Sequence, residues 1–86
     1  MSKTPFELDK IKETLASRAW HGGAEKMEVL ETDAENRTVL VKFMYKFDYK
    51  EYAVYKITNE GLLNLLVETA IAEYARSYFD SKQNNQ

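Results

Sequence analysis

Eighty-six residues leave room for one domain, since single cores rarely divide below roughly 150 residues, and the residue usage (44% hydrophobic, 30% charged, three Gly, one Pro) excludes disordered, collagen-like and low-complexity classes. The absence of cysteine excludes a disulfide scaffold, a thiolate metal site and a thiol nucleophile. Twelve Lys and Arg against fourteen Asp and Glu give a net charge of −2, so the overall charge draws the chain neither to phosphate nor to an anionic membrane.

The chain reads as a single α+β domain over residues 1–80 with a flexible polar tail at 81–86. Glu7 and Asp9 stand where a signal peptide would have its apolar stretch, and the longest uncharged apolar run, from Gly61 to Val67, is far shorter than the roughly 20 residues of a membrane span. A cytoplasmic protein with no membrane partner is the expectation.

Thr4-Pro5-Phe6-Glu7 predicts a helix start, with Thr4 as the cap, Pro5 in the first turn and Glu7 closing a capping box. Leu8, Ile11, Leu15 and Ala19 then recur at helical spacing in a narrow stripe, and Gly22-Gly23 ends the helix near residue 21. Residues 25–32 predict a short strand, followed by a polar hairpin loop over 32–37. From Thr38 to Phe47 the alternation is strict, with Val39, Val41, Phe43, Tyr45 and Phe47 on one parity. Residues 51–58 resume it with Ala53, Tyr55 and Ile57. Pairing Phe47 with Glu51 would bring Val41 opposite Ile57 and Phe43 opposite Tyr55; a two-residue loop, with Lys46 opposite Glu51, would exchange the faces of the third strand.

Thr58 or Asn59 is expected to cap a last helix running to about residue 79. On a helical projection Leu63, Leu66, Val67, Ala70, Ile71, Tyr74 and Tyr78 form a broad stripe, while Leu62, Leu65, Ala72 and Phe79 form a second one with no assigned neighbour. The resulting architecture is helix, three-stranded antiparallel sheet, helix (α-β-β-β-α), with both helices on one face of the sheet. That order is shared with double-stranded-RNA-binding domains. Their lysine cluster at the start of the last helix is replaced here by Asn59-Glu60-Gly61-Leu62, and the Asp33–Asn36 loop is acidic, so the order alone is shared and no family is assigned.

The chemical inventory is short. One histidine, His21, sits at a helix end where imidazole satisfies terminal carbonyls, and the pairs Glu28 with Glu31 and Asp33 with Glu35 read as solvated surface. No motif implies a metal or a cofactor, and no nucleophile–base set is visible. The segment 42–56 interleaves aromatics with four lysines against Asp48 and Glu51, net +2, a composition that sheet packing explains as well as base stacking does. With both helices on the other face, Met44, Tyr52 and Val54, ringed by Lys42, Lys46 and Lys56, would form a partner-binding surface, and Leu65, Ala72 and Phe79 would offer a dimer contact. The sequence thus predicts a small non-enzymatic interaction module acting through a protein partner or as a homodimer. The alternative is a single-stranded nucleic-acid-binding module using the hairpin 42–56, and an enzyme completed by a dimer pocket is the third reading.

Overall fold

The computed structural model describes residues 5–84, and the side chains of residues 5–81. Its elements run α1 (Leu8–His21), β1 (Lys26–Asp33), β2 (Thr38–Met44), β3 (Lys50–Ile57), β4 (Leu63–Thr69) and α2 (Ala72–Asn84), with a short 3-10 turn at Lys46–Asp48. The strands form one antiparallel meander in the order β1-β2-β3-β4.

α1 presents Ile11, Leu15 and Ala19 to the sheet, the expected stripe, with Leu8 at its margin. The helix begins later than the capping box implies. Glu7 is the N-cap through its backbone, its carbonyl accepting from Ile11 N–H (3.0 Å), and its carboxylate pairs with Lys10 at 3.1 Å instead of capping. Thr4 lies outside the described residues. At the other end Gly23 takes φ +89°, its N–H donates to Trp20 O, and Ala24 N–H donates to Ala19 O (2.8 Å). This paired closure terminates the helix where the two glycines predict it.

Two corrections follow from the second half of the chain. Residues 63–69 are a fourth strand, not the first half of a helix, and the order α-β-β-β-β-α no longer coincides with that of the RNA-binding domains. Thr58 N–H donates to Leu62 O (2.8 Å) and Gly61 N–H to Thr58 O (2.9 Å), and Gly61 lies at φ +89°. Asn59-Glu60-Gly61 is therefore a three-residue hairpin loop whose glycine supplies the left-handed position. β4 also meets a need of β3: Ala53, Val54 and Tyr55 are buried, and their outward backbone groups would otherwise lack partners.

The second correction is that the helices lie on opposite faces. α1 covers Val39, Val41, Phe43, Ala53, Tyr55 and Ile57, whereas Leu40 and Val54 pack with Ala75 and Phe79 of α2. β2 and β3 are apolar on both parities, which is how a strand buried on two sides reads. The pairing of β2 with β3 places Val41 opposite Ala53 and Phe43 opposite Glu51, four residues from the expected register and with an even offset. The side-chain faces expected from the three-residue loop therefore hold, although that loop falls at 46–48, two residues earlier than the expected 48–50.

Each edge strand carries a bulge that serves α2. In β1 the register shifts between Val29 and Glu31; Leu30 packs against the α2-side cluster and Glu31 pairs with Arg76 of α2. In β4 the shift falls between Leu65 and Val67, and Leu66 and Val67 both join that cluster. The backbone of residues 81–84, expected as part of a polar tail, continues α2.

Candidate functional site

The placement of α2 redistributes the residues of the expected binding surface. Val54 is fully buried beneath α2 and Tyr52 is half-buried against the same cluster, so neither belongs to an open sheet face. Lys42 and Tyr52, cross-strand partners, line a groove of ≈ 200 Å³ with Leu30, Leu40, Ala72 and Arg76. Lys56 lies by a separate groove with Leu66 and Tyr78, Met44 ends β2 opposite Lys50, and Lys46 stands in the β2–β3 turn. These six residues do not form one patch. Among the dimer candidates Phe79 is in the core, Ala72 is half-buried, and Leu65 is exposed on β4.

The acidic pairs are also accounted for locally. Asp33 Oδ1 accepts from Glu35 N–H (3.1 Å) and Asn36 N–H (3.2 Å), holding the β1–β2 turn. Within it Arg37, at φ 57°, is buried and donates through Nε to Ile57 O (2.9 Å) and through Nη2 to Thr58 O (2.8 Å), which fastens the start of β2 to the end of β3. His21 Nδ1 lies 2.8 Å from Ser17 O on the last turn of α1, as a helix-end imidazole should. Among the described residues no group of three or more His, Cys, Asp or Glu is placed to hold a metal ion. Nor is any helix among them long and apolar enough to cross a membrane. A groove of ≈ 320 Å³ lies between the start of α1 and the β3–β4 turn; its charged groups are Glu7, Lys10 and Glu60, two of which are already paired.

What the fold does expose is the β2–β3 turn. Tyr45 N–H donates to Tyr49 O (2.7 Å), closing a loop of Lys46, Phe47 and Asp48, and both Phe47 and Asp48 adopt left-handed backbone, φ 61° and 62°. Phe47 stands at the apex with its side chain 98% exposed. Left-handed backbone costs a non-glycine residue roughly 1–2 kcal/mol, and nothing within the fold gains from this phenyl ring. Tyr45 and Tyr49 flank it with ring centroids 5.6 Å apart. Both direct their hydroxyls to Glu51, Tyr49 at 3.1 Å to Oε2 and Tyr45 at a longer 3.4 Å to Oε1.

This cluster has a definite electrostatic character. Glu68 lies opposite Ala53 and hence diagonal to Glu51 on the α1 face. Partial burial, and then the neighbouring Glu51 charge, hold its carboxyl above the ordinary range. Burial first, and then Glu51, raise the Tyr45 phenol; for Tyr49 the hydrogen bond to Glu51 is the leading cause. Farther in, burial raises the Tyr55 phenol against the opposing influence of Arg18, whose guanidinium carbon lies 5.8 Å from that ring's centroid. Tyr45 and Tyr49 are held as hydroxyl donors to the Glu51 carboxylate, which fixes the aromatic walls of the turn.

Sequence reasoning places Phe47 in the alternation of β2 and so on the buried parity. The signal available was the interruption Asp48-Tyr49-Lys50, but the absence of glycine concealed a turn that uses two left-handed non-glycine residues. Glu68 was missed because a helical reading of 63–69 separates it from Glu51. Compared with protein families, characterised proteins and solved structures, the chain matches none.

Proposed function

We propose that this chain is a non-enzymatic interaction module that binds a protein partner through the β2–β3 turn, with Phe47 as the anchor and Tyr49 beside it. The observation that supports this reading is an aromatic side chain extended fully into water at a backbone conformation unfavourable to it. Aromatic anchors dominate binding energy at protein interfaces because they bury a large area at small entropic cost. Lys46 and Asp48 on either side of the anchor supply charges of both signs for orienting a partner. The stacking platform that a single-stranded nucleic acid would need is less well supported, since α1 and α2 occupy the two faces of the hairpin.

Phe47→Gly separates a binding role from a structural one. Glycine accepts φ 61° without strain, so the variant should be as stable as the wild type or more stable, by up to about 1 kcal/mol, while capture of partner falls at least tenfold. Photo-crosslinking from position 47, compared with the same probe at exposed Glu13, identifies what the turn touches. Equal capture by wild type and variant would overturn the reading.

A further inference from the structure

β2 and β3 extend beyond the first turn of α2, so the α2-side face of the sheet is covered at one end and open at the other. Leu40 and Val54 lie under the helix, and the next row along the strands, Lys42 opposite Tyr52, lines its margin with Ala72. One row farther, Met44 stands between Lys26 of β1 and Lys50 of β3, half-buried yet part of neither apolar cluster. Residues two apart on a strand share a face, so Lys26, Lys42 and Lys50 project to the same side.

Charge is sorted across the two faces at this end. On the α1 side stand Glu51 and Glu68, whereas on the α2 side the three lysines meet Glu28, opposite Lys42. Among the described residues none of the three lysines has an ion-pair partner, and the other carboxylate nearby, Glu31, is taken by Arg76. The result is a local excess of positive charge in a chain of net charge −2. Lys42 and Lys50 lie on central strands, where no sheet edge needs a charged guard. Beside Lys42 the ≈ 200 Å³ groove between β1 and α2 adds an apolar lining, Leu30 and Leu40, with Arg76 at its rim.

We propose that this open end of the α2-side face binds an acidic peptide segment of a partner protein, its carboxylates on Lys26, Lys42 and Lys50 and one apolar side chain in the groove. Unpaired lysines gathered on one face select an anion. The groove is smaller than the roughly 300 Å³ at which small-molecule pockets begin, and its apolar lining has nothing to bind in a bare phosphate, so it fits a single side chain of a longer ligand. A nucleic acid would need free ring faces for stacking, and Tyr52 is packed against the α2 cluster. A membrane is flat, whereas the groove is recessed beside α2. The surface adjoins the β2–β3 turn but uses none of the residues proposed there, so the two readings fail independently.

Fluorescence anisotropy of a fluorescein-labelled, end-capped peptide of about ten residues, glutamates around a central leucine, tests the proposal on the full chain. Binding with a Kd of the order of 100 µM is expected, weakening several-fold from about 50 to about 300 mM salt; no binding at about 1 mM protein overturns it. Lys42→Glu together with Lys50→Glu should weaken binding at least tenfold. Lys12→Glu together with Lys56→Glu makes the same change in net charge on α1 and at the far end of β3, and should weaken it less than about threefold; equal losses in the two pairs overturn the assignment. An oligothymidylate of matched charge should bind more weakly than the peptide, and tighter binding overturns the choice of a protein segment. Should the lysine substitutions disturb folding, carbodiimide coupling of the peptide to the wild-type chain locates it directly. The peptide should be found on Lys26, Lys42 and Lys50, and its predominance on Lys12 or Lys56 overturns the proposal.

Discussion

Phe79→Ala tests the two-sided core directly. The ring is 1% exposed and, with Ala75, is the deepest contact that α2 makes with Leu40 and Val54. On this face α2 contributes two buried residues, one of them only an alanine, while α1 brings Ile11, Leu15 and Ala19 to a larger cluster on the other. Truncating a buried Phe costs about 3–5 kcal/mol through lost transfer energy and the cavity left behind. A domain of this size has only about 4–13 kcal/mol in total, so the substitution should remove a large share of its stability. Because half of the α2 anchor is lost, the first consequence should be detachment of α2 with β1–β4 and α1 still associated. Urea unfolding followed at 222 nm should show the midpoint falling, and hydrogen exchange should show α2 amides losing protection before those of β2 and β3. An unfolding free energy within about 0.5 kcal/mol of the wild type would refute the placement of Phe79 in the core.

Two further substitutions test local chemistry. Thr38 Oγ1 is buried without a hydrogen-bond partner, so Thr38→Val, which keeps the shape and removes the unmet hydroxyl, should raise stability by about 1 kcal/mol in thermal or urea unfolding; a loss would show that the hydroxyl is satisfied. Glu68 has a folded-state pKa raised above its ordinary 4.5, so the folded chain holds that proton more tightly than the unfolded chain does. Its contribution is therefore fully present below about pH 4.5 and is lost as pH rises through the folded-state value. Glu68→Gln should raise the unfolding midpoint at pH 7 and reduce the decline between pH 4.5 and 7, and an unchanged pH slope would refute the assignment of that decline to Glu68.

Much of the fold was legible where one physical rule acted alone. Ile11, Leu15 and Ala19 with Gly22-Gly23 determine α1 and its end, because a one-sided helix has a clear period and glycine a clear conformational preference. The alternation through Val39, Val41 and Phe43 determines β2, and an even offset preserved the faces of β3 although the turn lies two residues earlier than expected. The sheet interior decided the rest. Leu62-Leu63-Asn64-Leu65-Leu66-Val67 is apolar at nearly every position, so its period distinguishes neither helix nor strand; what decides is that the buried backbone of β3 needs a partner and that Asn59-Glu60-Gly61 can close a hairpin. The second apolar stripe on the helical projection, which suggested a dimer face, is divided among the β3–β4 turn (Leu62), β4 (Leu65) and α2 (Ala72 and the Phe79 anchor). Once 63–69 is a strand, the helix that follows falls on the face left open by α1, burying Val54 and leaving Phe47 and the β4 edge exposed. No local pattern specifies which face a helix takes, because that choice depends on which apolar surface the completed sheet still has to cover.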